Sequence, residues 1–276
     1  MAGETSEREK MPELPDVERF KDYFDSTSLK KRIEKASALD DFLLKGVSPA
    51  TLKKRLEGRR FEKTRRWGKY LFARADSGGW LVLHFGMTGS LDYYSSGQEQ
   101  PRFTRLRLDF EDGGHLAYVN QRRLGRVGWT DDPEAFARRE RLGPDAMSGN
   151  LSLEEFKELL SVRGRAIKPV LMDQSIISGI GNLYADEILF QARIDPRTPA
   201  RELDDEAVGR LYRAMRKVLA VAARTEIEHR PLPRAFLMPH RKEGDKCPGC
   251  AGPVQRTKIA GRSTYFCPGC QRRKAA

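Results

Sequence analysis

Apolar residues change their spacing about midway along the chain. Before residue 150 they alternate with polar ones in short runs, at 70–75, 80–85, 105–110 and 115–119, a period of two that predicts half-buried β-strands. Asp76-Ser77-Gly78-Gly79 and Asp112-Gly113-Gly114 separate these runs and read as tight turns. Ahead of them, Val17, Phe20 and Phe24 recur at helical spacing behind Pro15-Asp16-Val17-Glu18, where acidic residues following a proline mark a helix start. The first half therefore reads as an antiparallel sandwich or barrel with one leading helix.

From Asn150 the period becomes helical, with patterns at 153–162, 168–177, 183–192 and 204–224. Ser152 and Glu155 have the spacing of a capping box ahead of the first. Val208, Leu211, Met215, Val218, Leu219 and Ala222 line one face of the last. A proline-containing stretch at 229–234 leads to a cysteine-rich tail, and no internal repeat is present. The longest apolar run, 80–85, is interrupted by His84 and falls far short of the ~20 residues that a membrane span needs. Residues 1–10 have no apolar stretch to act as a secretory signal, so the expectation is a cytosolic protein whose thiols stay reduced.

Charge narrows the choice of partner. The chain carries a formal +12, and the segments 53–69 and 240–276 each hold nine Lys or Arg against two acidic residues, so two patches exceed the whole net charge. Neither is an amphipathic helix with a broad apolar face, which favours nucleic acid over a membrane surface as the polyanion. A merely solvated, solubilising surface is the competing reading.

Cys247-Pro248-Gly249-Cys250 and Cys267-Pro268-Gly269-Cys270 form two Cys-x-x-Cys knuckles. Together they supply the four soft ligands of a closed, structural zinc site. A redox dithiol would instead place one pair between a strand and a helix. A tail this short could hardly fold without the metal. Arg262, in the segment between the knuckles, would be presented on a rigid hairpin to a phosphate or a groove. Gly179 and Gly181, in Ser178-Gly179-Ile180-Gly181-Asn182, allow close backbone approach, and the amides of a helix starting near Asn182 could bind an anion such as a DNA phosphate; a plain helix-helix turn is the alternative.

These pieces combine with Met11-Pro12-Glu13-Leu14-Pro15 at the head of the folded region. In order along 11–272 follow Lys69-Tyr70-Leu71, His84-Phe85-Gly86-Met87-Thr88-Gly89-Ser90-Leu91, Gln121-Arg122-Arg123-Leu124-Gly125, Ile167-Lys168-Pro169, Gly179-Ile180-Gly181-Asn182-Leu183-Tyr184-Ala185 and the cysteine knuckles. With these landmarks the chain resembles the bifunctional DNA glycosylases comprising formamidopyrimidine-DNA glycosylase and endonuclease VIII. Glu-Leu-Pro is nearer the formamidopyrimidine branch.

The resemblance implies a multidomain protein: a β-sandwich with a leading helix over 11–148, a helix-two-turn-helix domain over 149–238 and a zinc finger over 239–276, with 1–10 a dispensable or non-native extension. It implies a base-excision repair enzyme, acting as a monomer in a bacterial cytosol or nucleoid on double-stranded DNA that carries a damaged base or an abasic site. By that resemblance Pro12 is the amine nucleophile of glycosylase and lyase steps, Glu13 the general acid/base, and Lys69 a pocket residue. Lys168, Asn182 and Arg262 contact the backbone near the extruded nucleotide. Met87, Arg122 and the residue at 124 fill the vacated stack. Position 124 is Leu where the family carries Phe, so the wedge is smaller and aliphatic.

Two departures shape the expectation. A proline nitrogen in peptide linkage has no nucleophilic lone pair, so the chemistry needs Met11 to be the start and to be removed, or the first eleven residues to be trimmed. A catalytically inactive damaged-DNA-binding protein of the same fold is the alternative, as is, more remotely, a zinc-ribbon factor that binds RNA. Between the last long helix and the knuckles, Arg224-Thr225-Glu226-Ile227-Glu228-His229-Arg230-Pro231-Leu232-Pro233 replaces the Gly-Gly-Thr-Thr-Leu-like segment and lesion-capping loop, so the cap is different or absent.

Overall fold

The computed structural model describes residues 11–272, and the expected extension at 1–10 lies outside them. The described residues divide into two compact units: residues 11–12 with 16–139, and residues 13–15 with 140–272.

The first unit contains most of helix α1 (Leu14–Ser28), followed by β1 (Ile33–Ala38), β2 (Leu44–Lys45), α2 (Pro49–Leu56), β3 (Phe61–Trp67), β4 (Tyr70–Ala75), β5 (Trp80–His84), β6 (Gly89–Ser95), β7 (Thr104–Phe110), β8 (Gly114–Asn120), β9 (Arg126–Thr130) and α3 (Pro133–Arg139). It is a sandwich of a four-stranded sheet, β1-β7-β8-β6, and a five-stranded sheet, β2-β9-β5-β4-β3. All pairings are antiparallel except the short β2-β9 pair. The four alternating runs correspond to β4, β5, β7 and β8; β1, β2, β3, β6 and β9 lie outside those runs. β3 hides within the basic stretch because it is an edge strand, where charge on both faces is tolerated and blocks pairing with another chain. Val17, Phe20 and Phe24 of α1 join the core between the sheets, with Phe20 on Phe85 at 4.3 Å between ring centres.

The second unit contains α4 (Leu153–Ser161), α5 (Ile167–Met172), α6 (Asn182–Ala192), α7 (Asp205–Ile227) and the hairpin β10 (Gln255–Ile259) with β11 (Arg262–Phe266). The capping box forms: Glu155 N donates to Ser152 Oγ and Ser152 N to the Glu155 carboxylate. Residues 140–148 fold with this unit, Gly143 N donating to Gln174 O and Ala146 N to Ser178 O. The helix expected over 168–177 stops at Met172. Asp173 accepts hydrogen bonds from Ser175 N and Oγ, and Gln174 Nε2 donates to Ile180 O, which turns the chain into a loop. α7 runs on to Ile227, so the first four residues of the divergent stretch at 224–233 are the end of a helix. α6 is buried along most of its length, its acids Asp186 and Glu187 included. Among the described residues no helix is long and apolar enough to cross a membrane.

Candidate nucleic-acid interface and zinc site

The first amides of α6 need partners, because its N-cap is Gly181 and offers no side chain. Glu13 provides them from the other end of the sequence. Its Oε1 accepts from Leu183 N at 2.9 Å, and its Oε2 accepts from Gly181 N at 2.9 Å and Tyr184 N at 3.3 Å. Leu14 N donates to Gly179 O, which seats the next residue as well. Both glycines are there to admit this segment. A Cβ on Gly181 would lie 2.3 Å from the Glu13 carboxyl carbon, and one on Gly179, at φ +112°, would lie 2.4 Å from Leu14 Cδ1. The anion expected at this helix start as a DNA phosphate is thus, at three amides, the protein's own carboxylate. Pro12, joined to Glu13 by one peptide bond, is buried. Asn182 opens α6, and its side-chain oxygen is buried with no hydrogen bond among the described residues.

Lys168 is only 1% exposed, which sets it apart from a typical phosphate-binding lysine. Its ammonium lies 2.7 Å from Asp186 and donates to Thr264 Oγ1 at 2.8 Å and Ser263 O at 3.1 Å. Its charge and two of its hydrogen bonds are therefore taken up inside the protein. Asp186 also takes Arg241 at 2.9 Å and the amide of Tyr265. Burial pushes the Asp186 carboxyl up, against the pull of Lys168 and Arg241. The pair ties α5 and α6 to β11, the strand that starts with Arg262. Arg262 itself is exposed beyond a two-residue turn, Ala260-Gly261, both at positive φ. Sequence reasoning missed Asp186, although two acids inside an otherwise apolar helix already demand buried partners.

The first unit displays the remaining expected residues. Lys69 is half-buried in the two-residue turn between β3 and β4, with Gly68 at φ +55°. Met87 lies in the turn between β5 and β6, partly buried. The imidazole of His84 accepts from Gly86 N at 3.3 Å, just ahead of Met87. Burial, and then the charges of Arg126 and Lys69, hold His84 down to about 4, so its ring is neutral and free to accept. Arg122 and Leu124 are exposed in the turn between β8 and β9, Leu124 at 49%. Part of the basic stretch is neutralised locally: Arg66 pairs with Glu18, Arg65 with Glu134 and Arg55 with Asp131.

The four cysteines are free thiols whose sulfurs all lie within 4.8 Å of one another. Cys247–Cys270 at 3.7 Å and Cys250–Cys267 at 3.4 Å are too distant for disulfides and near the ~3.8 Å edge of a tetrahedron with Zn–S of about 2.3 Å. The set is all-sulfur and closed, which suits structural zinc and leaves no position for catalysis. Phe190, Leu237, Val254, Cys247 and Cys267 make the small core around it, with Tyr265 and Cys270 packed against them.

Three family models match in succession: the formamidopyrimidine-DNA glycosylase N-terminal domain over 11–127, its H2TH domain over 142–230, and the zinc finger found in FPG and IleRS over 244–273. A formamidopyrimidine-DNA glycosylase of Acaryochloris marina is 33% identical over 95% of this chain and 99% of its own length. The chain belongs to the formamidopyrimidine-DNA glycosylase family. The glycosylase of that name from Thermus thermophilus is 36% identical, over 95% of this chain and 98% of its own. Among solved members of the family, the Lactococcus lactis enzyme bound non-covalently to DNA containing an abasic site superposes with a TM-score of 0.86 at 26% identity, covering 95% of this chain and all of the other. A MutM complex with DNA carrying carbocyclic 8-oxo-G gives 0.85 at 27%, with the same coverage. The zinc finger and the sandwich are features this chain shares with the family.

Proposed function

We propose that this protein is a DNA glycosylase and abasic-site lyase that removes an oxidised or ring-opened base from double-stranded DNA. The amine of Pro12 attacks C1′ of the extruded nucleotide, the C1′–N bond to the base breaks, and the base leaves after protonation. Opening of the sugar ring leaves an iminium between Pro12 and C1′. That iminium acidifies the C2′ proton, whose loss expels the 3′ phosphate by β-elimination; a second proton loss expels the 5′ phosphate by δ-elimination, and water releases the sugar remnant. Glu13 moves the protons at the sugar oxygen and C2′. Lys69 lines the lesion pocket, Asn182 and Arg262 hold backbone phosphates, and Met87, Arg122 and Leu124 occupy the gap left in the stack. Lys168 acts through β11 by holding Arg262 in place rather than by touching DNA.

The observation that carries this reading is the seating of Glu13. Two amides of α6 and that of its cap, Gly181, fix its carboxylate, and the Leu14–Gly179 hydrogen bond fixes the residue after it, so the segment following the nucleophile is held before substrate arrives. The relatives of this name and the solved complexes with damaged DNA support the substrate class.

The reading requires Pro12 to be released from its peptide bond to Met11. Intact mass of the protein made from its gene should show a chain starting at Pro12. Borohydride should then trap a covalent adduct with lesion-bearing duplex, and Pro12→Gly should abolish it without loss of folding. Binding to damaged duplex with no trapped species would instead establish a non-catalytic damage-binding protein.

A further inference from the structure

The turn that carries Arg122 and Leu124 is held from outside itself. Arg123, between them, sits at φ +55°, a left-handed conformation that disfavours a side chain by roughly 1 kcal/mol. Its guanidinium reaches Asp40, in the link between β1 and β2, with two nitrogens against two oxygens: Nη2 donates to Oδ1 and Nε lies beside Oδ2, both at 2.7 Å. Asp40 is only 7% exposed at its side chain, and it also faces Arg105 of β7 at 3.3 Å and accepts from Phe42 N at 3.2 Å. The ring of Phe42 lies 4.9 Å from the Arg123 guanidinium. The backbone around the fork is pinned too: Arg122 N donates to Thr88 Oγ1 and Leu124 N to Asn120 Oδ1. A Cβ on Gly86 would lie 2.5 Å from the Leu124 carbonyl carbon.

We propose that Asp40, through its bidentate pairing with Arg123, is a positioning residue that sets the pose of Arg122 and Leu124 before DNA is bound. This rests on the assignment of those two residues to the vacated stack. Leucine reaches less far than phenylalanine, so it can fill the gap only where its backbone is placed accurately and where ordering the turn is not left to the binding step. The Arg123 charge is matched by Asp40, and a bidentate fork fixes direction as well as distance.

Hydrogen exchange of the amides at 121–125 in the DNA-free protein tests the claim independently of activity. Asp40→Asn, which keeps the shape and halves the fork, and Arg123→Lys, which keeps the charge and loses the fork geometry, should each speed exchange by about tenfold. In single turnovers on lesion-bearing duplex, each should lower base excision by about tenfold while cleavage of a preformed abasic site stays within about twofold, since no base then has to leave the stack. Rescued excision by Asp40→Glu with restored protection would support a positional role. Unchanged exchange in Arg123→Lys, which sits at an exposed site with little risk to folding, would overturn the proposal, as would an equal fall in excision and abasic cleavage. Absence of any cleavage by the wild-type chain would refute the glycosylase assignment instead, and the exchange result would still decide the role of Asp40.

Discussion

Asp186 and Asp40 each gather two cationic side chains, and they do so at different depths. Asp186 faces Lys168 and Arg241 with 1% and 16% of those side chains exposed; Asp40 faces Arg105 and Arg123 with 20% and 50% exposed. The carboxyl groups move in opposite directions as a result. Hydrogen bonding to Arg123 holds Asp40 below the usual carboxylate range, while loss of water pushes Asp186 above it despite its two partners. The same chemical motif therefore has two consequences. In the second unit it is a structural lock on β11, whose failure strands buried charge. At the sandwich rim it is a pose-setting device whose failure leaves the cation free to turn to water.

The largest effect expected in the second unit comes from the metal that shares β11 with Asp186. Zinc binding by such a tail contributes on the order of 10 kcal/mol. Chelation, or Cys267→Ser, should release one zinc per chain and expose the amides of 255–266 to exchange. Zinc well below one per chain in properly folded protein would remove the metal from the comparison and leave Asp186 as the sole anchor.

Next comes Asp186 itself. Asp186→Ala should destabilise the fold by about 3–5 kcal/mol, since it leaves two cations without their anion. Lys168→Met should cost less, because Asp186 keeps Arg241. Asp40→Ala, by contrast, should cost about 1–2 kcal/mol. Denaturant midpoints compare all three directly. Equal losses at Asp186 and Asp40 would mean that depth is not what separates the two clusters.

A pH effect sharpens the contrast from within the first unit. His84 is held near 4 when folded against an ordinary value near 6.5, so the unfolded chain binds the proton more readily. Its contribution is fully present above about pH 6.5 and is lost as pH falls toward 4, about 3 kcal/mol in all. His84→Asn should flatten that slope in urea titrations. A wild-type stability that stays level from pH 7 to 4 would contradict it. The proton would also remove the acceptor that holds Gly86 N, so the Met87 turn should loosen over the same range.

What could be read along the chain, and what could not, follows from contact distance. The cysteine knuckles and the alternating strands β4, β5, β7 and β8 are local patterns, and so is the capping box at Ser152. The mates of Glu13, Lys168 and Asp40 lie far off in sequence, at Gly181–Tyr184, Asp186 and Arg123, and no spacing rule announces them. β3 is hidden because edge-strand charge imitates a loop, and the apolar pattern overruns α5, running on through Ile176 and Ile177, because Asp173 stops the helix with side-chain hydrogen bonds.

The smallest effect concerns what the two anchors are for. If the buried lock exists to aim Arg262 at one phosphate, Arg262→Ala should weaken binding to every duplex to a similar degree and reduce the slope of log affinity against log salt by roughly one unit. Leu124→Ala, at the tip held by Asp40, should leave that slope unchanged, because an aliphatic side chain displaces no counterion, while lowering the preference for damaged over intact duplex. The two variants thus separate an electrostatic grip from a packing wedge in one titration series. A salt slope unmoved by Arg262→Ala would show that the lock secures the zinc hairpin for its own stability, with no phosphate at its tip.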